Sequence, residues 1–556
     1  MKVLQRIQQF SFVIGIGLTV LSLFFLYTGD SILLNPERIF FESENEETLV
    51  GFYHQPAQSR RYGVLMLEGF GSDQVSMRSA ANQFLQDGFQ VFTFDFTGHG
   101  RSTGTLQLDN ASTDFQSKQV IAALAQFQEL SGLESSQIFL FGHSLGARVA
   151  VQAVVQNDLQ VAGLILLGPQ INVTPNVQSE FFTGTSDLDL PWIAGLGPEQ
   201  PNVPLIIISG TWEDILPVTA AQALMSQLTG EGNIDQNIRY GGGETPSREW
   251  KLLPAVFHNF EIYSPKALIA GVEWAEQQIG IEQNHERILG VAARRIIFWI
   301  SSIVGILLFL LGARQFSENH QAAVPAPGVA IQNNRKFVLS KFWLWLPAIP
   351  IGAIVIAPFF LLPIGLPLFN IYYVVFIAGY GVLTLLLYLF GKIPGSTGKL
   401  RLKQELRLPA DVNWRYVIGL NLLVILFLLL FARSGWFWIP PTGDRLVWLL
   451  IFTPFTAIGF WSGAYDQALI SSEERGKKRI IQWNGFLPFI LYALLMIALS
   501  SWSGLINGMI GLLILWIAFQ QGKITENLTG SRWIAALLQA FLLYLIILPQ
   551  GVLFRF

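Results

Sequence analysis

The pattern of hydrophobic and polar positions changes character near residue 295. Before that point, short apolar runs alternate with longer amphipathic ones. From residue 61 onward, RYGVLMLEG, FQVFTFDF, SQIFLFG, VAGLILLG, VPLIIISG and EWKLLPAVF read as strands. Between them, SMRSAANQFLQDG, DFQSKQVIAALAQFQEL, LGARVAVQAVVQN, TAAQALMSQL and SPKALIAGVEWAEQQI read as helices. Gly88 is placed to end the first of these helices and Asp114 to cap the second. Near-continuous apolar strands separated by helices predict a mostly parallel sheet covered on both faces. Upstream, ERIFFES and ETLVGFYHQ predict an antiparallel hairpin at the sheet edge.

After residue 295 the apolar runs become long enough to cross a hydrocarbon core of about 30 Å. They fall at 296–312, 342–364, 368–390, 416–432, 446–465, 484–500, 503–520 and 533–553. A further uncharged run, residues 10–28, makes nine spans. Lys2 and Arg6 precede it as in a signal peptide. The run exceeds a typical signal core and lacks a clean small-x-small site, so it reads as an uncleaved anchor. The chain thus divides into an anchor (1–29), a soluble-type domain (30–290) and an all-α polytopic domain of about eight spans (291–556). Gly504, Gly508 and Gly511 have the small-residue spacing of closely packed helices.

Charge sharpens this division. Residues 30–295 hold 30 of the 38 acidic residues but only 14 of the 35 Lys and Arg. With the N-terminus in the cytoplasm, eighteen Lys and Arg fall in cytoplasmic segments and three in the short outside ones. That bias places residues 30–295 outside the cytoplasm. Almost no ionisable residue falls inside the expected spans, which argues against ion-coupled transport. The basic residues sit between spans, where topology accounts for them better than a nucleic-acid partner. The absence of cysteine removes disulfides and thiolate chemistry. No H-E-x-x-H, P-loop or dinucleotide fingerprint occurs, so neither a metal nor a cofactor is expected.

In a parallel sheet, chemistry collects at the carboxyl ends of the strands. Those ends here carry Glu68-Gly69-Phe70-Gly71, then DFTGHGRS from Asp95, then Gly142-His143-Ser144-Leu145-Gly146. Gly210-Thr211-Trp212-Glu213-Asp214 and His258 follow. A serine on a strand-to-helix turn between small residues, followed by carboxylates and a histidine, is the requirement for nucleophilic acyl transfer. Of the six histidines, His54 lies in the edge hairpin, and His285 and His320 lie outside the strand pattern. His258 is the one placed to be a base.

This constellation resembles the α/β-hydrolase fold over roughly residues 40–280. It is most similar to the monoglyceride-lipase and serine-aminopeptidase branch, whose D-x-x-G-H-G-x-S motif is matched by DFTGHGRS. The resemblance implies Ser144 as nucleophile, His258 as base, and loop-packing roles for His99 and His143. In the family the acid stands four residues before a proline. GTWEDILP puts Glu213 in that register and Asp214 one later, and both stay candidates. Phe70 and Leu145 hold the positions of the oxyanion-hole amides. Here the chain departs from its relatives, because Glu68 replaces a histidine common beside the hole. A carboxylate pointing inward there would repel an oxyanion. Glu261 reads as a loop or helix-start residue.

Residues 170–202 are the natural place for a short lid. Phe181, Phe182, Trp192 and Ile193 would form either an apolar substrate wall or a packed crossover. The leading expectation is a membrane-anchored serine hydrolase that cleaves an ester or amide of a lipid or acylated envelope substrate through an acyl-enzyme. Two other readings are a transport or assembly protein with an inactive hydrolase-like domain, and an acyltransferase using the same site.

Overall fold

The computed structural model describes the chain apart from residues 1, 30–35, 45, 107–110, 174–189, 282–284, 410–411, 435–440, 442, 471–473, 488–489, 492, 495–501, 550 and 556. Nine strands form one sheet: β1 (Glu37–Glu42), β2 (Thr48–His54), β3 (Gly63–Leu67), β4 (Gln90–Asp95), β5 (Ile138–His143), β6 (Gly163–Leu167), β7 (Leu205–Gly210), β8 (Arg239–Tyr240) and β9 (Arg248–Leu253). Their spatial order is β1-β2-β4-β3-β5-β6-β7-β9-β8. The edge hairpin β1–β2 pairs antiparallel onto β4, and β4, β3, β5, β6, β7 and β9 run parallel. The fold is an α/β hydrolase followed by an all-α domain.

Alternation along the strands fills both faces. Leu65, Leu67, Leu140 and Leu166 enter one core, and Val64, Met66, Phe139 and Ile165 the other. Each such side chain contributes about 1.5–3 kcal/mol of burial. From β3 the chain winds one way to β4 and the other way to β5. The carboxyl ends of β3 and β5 therefore flank the switch point, where an open α/β sheet has its crevice.

Several local expectations change. Asp114 lies inside the first turn of the helix Ala111–Ser131, where its carboxylate accepts from Gln152 and Gln156. Trp192 and Ile193 are buried in the larger core, with the Arg148 guanidinium 5.7 Å from the Trp192 ring, so they serve packing. Phe181, Phe182 and most of the expected lid lie outside the described residues. The two-residue strand β8 was not legible in the sequence.

Among the described residues, six helices are long and apolar enough to cross a membrane: Phe10–Gly29 near the N-terminus and, in the second half, Arg294–Asn319, Asn370–Phe390, Trp414–Arg433, Asp444–Leu469 and Gly504–Thr529. The expected span 342–364 is a pair of helical pieces, Asn334–Trp343 and Trp345–Leu361, bent by 47°. The last expected span is the shorter apolar helix Arg532–Ile547. The expected span 484–500 lies largely outside the described residues. Close backbone packing occurs where Gly15 meets Phe309, Gly305 meets Thr19 and Gly312 meets Phe12, joining the first two long helices. Gly511 instead faces the Tyr373 hydroxyl.

Buried charge collects outside the expected spans. Lys341 and Asp466 form a 2.8 Å ion pair with both side chains buried, and the Tyr380 and Tyr388 hydroxyls also donate to Asp466. Arg532 and Glu405 form a second buried pair at 2.9 Å. Lys341, Asp466 and Arg532 lie just beyond the apolar windows read from sequence, and Glu405 ends the short helix Leu402–Glu405.

Candidate active site

Ser144 sits between β5 and the helix Leu145–Asn157, at φ 54° and ψ −114°. A side chain is strained in that region of the backbone map. The turn is pinned on its β6 side: the Ser144 N–H donates to the Leu167 carbonyl (2.9 Å), and the Ser144 carbonyl accepts from the Gln170 N–H (3.2 Å). The flanking glycines are required by contact. A Cβ at Gly146 would lie 2.3 Å from the Leu67 carbonyl oxygen, and one at Gly142 would lie 2.5 Å from the Ala147 nitrogen. Only glycine lets the helix start so close to the end of β3.

His258 opens the 3₁₀ helix His258–Tyr263 after β9. Its Nε2 is 2.9 Å from Ser144 Oγ and its Nδ1 is 2.7 Å from Glu213 Oε2. The other Glu213 oxygen accepts from the Ile215 and Leu216 amides at 2.9 and 3.0 Å. Burial would raise the Glu213 pKa. The His258 charge, its hydrogen bond and the two amides outweigh burial and hold the carboxyl below its ordinary value. An ionised Glu213 fixes the proton on Nδ1 and leaves Nε2 free to accept from the serine hydroxyl. Of the two candidate acids, Glu213 accepts from His258 Nδ1 and is buried, while Asp214 is half-buried.

The other two buried histidines near the rim serve as struts. His143 Nε2 donates to the His258 carbonyl at 3.0 Å. His99 Nδ1 donates to the Thr97 carbonyl (3.2 Å), leaving Nε2 to accept the Gly71 N–H (3.2 Å). Burial lowers their pKa values to about 3 and about 4, so both rings are neutral. Gly69 lies directly against the nucleophile turn: a Cβ there would be 2.9 Å from His143 Nδ1 and 3.5 Å from Ser144 Cβ. The next residue, Phe70, and Leu145 at the first position of the helix thus flank Ser144 from two loops.

Glu68 does not face the serine. It is fully buried, and its Oε1 accepts from the Phe96 amide at 3.0 Å. Burial, followed by the charges of Asp95 and Asp73, pushes its pKa well above the ordinary range. A carboxyl bonded to the Phe96 amide and biased by burial toward its neutral form is less able to repel an oxyanion.

Glu261 has a larger part than its sequence context suggested. It is fully buried, and its Oε1 accepts from the Gly210 N–H at 2.8 Å, tying the end of β7 to the His258 turn. In a 3₁₀ helix, residues i and i+3 eclipse, so the H-x-x-E spacing was the available signal. Burial and then the Glu213 charge raise its pKa well above normal. His143, His258 and Glu261 bring ligand-type atoms within 4.8 Å of one another. Both His258 nitrogens already face Ser144 and Glu213, so a metal there would compete with that pairing.

The rim rests on the second half of the chain. The Gly71 and Gly98 carbonyls accept from the Gly551 and Leu553 amides at 3.1 and 3.0 Å. Tyr263, at the end of the His258 turn, packs edge-on against Trp299 with ring centroids 5.5 Å apart.

Residues 58–199 match the family model described as serine aminopeptidase, S33. A candidate esterase/lipase of Mycoplasma genitalium is 30% identical over 132 residues, which is 23% of this chain and 45% of that protein. An uncharacterized protein of Mycobacterium tuberculosis is 27% identical over 216 residues, 36% of this chain and 69% of its own length. This chain therefore spans under half of the Mycoplasma protein and about two thirds of the mycobacterial one. Among solved structures, the esterase Pf2001 of Pyrococcus furiosus aligns with 45% of this chain and 91% of its own, at 18% identity and a TM-score of 0.34. Sheet topology and family match agree: residues 58–199 are similar to the serine aminopeptidase model, the nine-stranded sheet has the α/β-hydrolase arrangement, and the second half of the chain carries helices long and apolar enough to cross a membrane.

Proposed function

We propose that this protein is a membrane-anchored serine hydrolase that cleaves an ester or amide of a lipid or acylated envelope molecule through an acyl-enzyme. The observation that carries this reading is the continuous chain from Ser144 Oγ through His258 to Glu213, with contacts of 2.9 and 2.7 Å. His258 Nε2 takes the serine proton as Oγ attacks the acyl carbon, and Glu213 stabilises the imidazolium that forms. The Phe70 and Leu145 amides receive the developing oxyanion, aided by the positive end of the Leu145–Asn157 helix. His258 returns the proton to the leaving group. It then activates a water that releases the acyl group and restores Ser144.

The position of the rim supports this choice of substrate class. Two strand-end loops and the His258 turn abut the membrane domain, which favours an amphiphile drawn from the bilayer. The distribution of Lys and Arg supports a cytoplasmic N-terminus and an extracytoplasmic hydrolase domain. The test uses the full chain in nanodiscs with p-nitrophenyl butyrate and with a monoacylglycerol. Turnover of both that disappears in Ser144→Ala is expected. Turnover that survives in Ser144→Ala, or none in the wild type, would overturn the reading.

A further inference from the structure

The loop that carries Phe70 is held from outside the hydrolase domain. Residues 551–555 run as a strap between the two halves. Besides the Gly551 and Leu553 contacts described above, the Leu106 N–H donates to the Leu553 carbonyl at 2.8 Å. On its other side, Phe554 exchanges hydrogen bonds with Leu366 at 2.8 and 3.0 Å. The Phe554 ring lies 6.0 Å from the Phe70 ring, and Leu106, Val552 and Phe554 form a small buried cluster against Phe70.

Arg445 grips both the strap and the loop after β4. It stands in the first turn of the helix Asp444–Leu469, with 3% of its surface exposed. Its guanidinium donates to the Gly98 carbonyl (2.8 Å), the Gly100 carbonyl (3.3 Å) and the Gly551 carbonyl (2.9 Å). Between Gly98 and Gly100 lies His99, whose Nε2 accepts the Gly71 N–H. A short relay therefore runs from Arg445 through His99 to the residue after Phe70.

Behind these loops lie Glu68, Asp73 and Asp95, all fully buried. The Asp95 carboxylate accepts from the Gln74 and Arg101 amides at 2.8 and 2.9 Å. Clustered buried carboxyls are costly unless a cation faces them. Burial raises the Asp73 carboxyl well above its ordinary value and also raises Asp95; the Arg445 charge opposes both rises, and Arg101 opposes the second.

We infer that Arg445 and the strap 551–555 are positioning elements of the hydrolase site: they hold the Phe70–Gly71 loop against Ser144, so the oxyanion hole is complete only with the membrane domain docked. This rests on the serine-hydrolase reading above. It gives the membrane domain a role in the chemical step, since any movement of the Asp444–Leu469 helix reaches the loop through one side chain.

The experiment compares full-length wild type, Arg445→Gln, Arg445→Lys and Leu553→Pro in nanodiscs. Active sites are titrated with a fluorophosphonate, so that kcat is expressed per reactive serine and any unfolded fraction drops out. An alkyl trifluoromethyl ketone, whose adduct carries an oxyanion, is then measured as an inhibitor. Arg445→Gln and Leu553→Pro are expected to lower kcat per site by about tenfold or more and to weaken the ketone in step, with KM held within about threefold. Arg445→Lys, unable to span three carbonyls, falls between. Values of kcat and ketone affinity within about twofold of wild type would overturn the inference. If Arg445→Gln yields no folded protein, Leu553→Pro decides alone by the same criterion. A wild type with no titratable Ser144 would overturn the hydrolase reading itself, an outcome distinct from active but indifferent variants.

Discussion

Replacing Ser144 with glycine should make the protein more stable than replacing it with alanine, although both changes remove the hydroxyl. Ser144 holds φ 54° and ψ −114°, a region that residues with a Cβ enter at a cost of about 1–3 kcal/mol. Alanine keeps the Cβ and the strain. Glycine releases it but adds unfolded-chain entropy, a loss of about 0.5–1 kcal/mol. The balance favours Ser144→Gly over Ser144→Ala by about 1–2 kcal/mol. For a domain of this size, that is a rise of about 3–6 °C in Tm. The assay is thermal unfolding of the two variants in the same detergent, followed by tryptophan fluorescence. Equal stabilities, or a less stable glycine variant, would refute the idea that the backbone holds the serine under strain.

Two further predictions concern the acid beside that turn and a buried histidine of the edge hairpin. Glu213→Gln should lower kcat by about 10³–10⁴-fold by removing the carboxylate that fixes the His258 tautomer, while Asp214→Asn stays within about threefold; steady-state kinetics on a soluble ester distinguish them, and the reverse ranking would reassign the acid. His54 is buried with its pKa lowered to about 3, mainly by burial and then by the Arg78 charge. A depressed folded-state pKa gives stability that is full above the unfolded value near 6.5 and is lost as pH falls toward 3. Denaturation at stepwise lower pH should therefore show His54→Leu gaining on wild type across that window, and a constant difference would contradict it.

Much of the hydrolase half was legible because each strand is a continuous apolar run bounded by turn residues, as in VLML or FLFG. The strand order itself placed Ser144, Glu213 and His258 on one rim. The orientation of Glu68 was not legible, because its partner, the Phe96 amide, lies 28 residues away, just past the end of β4. Glu261 was hidden for a similar reason: its role depends on the Gly210 amide, 51 residues upstream. In the sequence Arg445 is one of the three basic residues counted in the short outside segments. Its three carbonyl partners, two of them more than 300 residues distant, have no local signature. Lys341 and Asp466 escaped notice because an apolar window ends where charge begins, whereas the folded bundle buries the residues just past that limit.

The central claim is that Ser144 is the nucleophile, and an alkyl fluorophosphonate tests it most directly. The folded full-length protein is treated with the probe, digested and analysed by mass spectrometry, alongside Ser144→Ala. The account predicts one stoichiometric adduct on Ser144, formed at a rate that Glu213→Gln reduces, and none on the alanine variant. A folded wild type that forms no adduct, or an adduct that persists in Ser144→Ala, would contradict it.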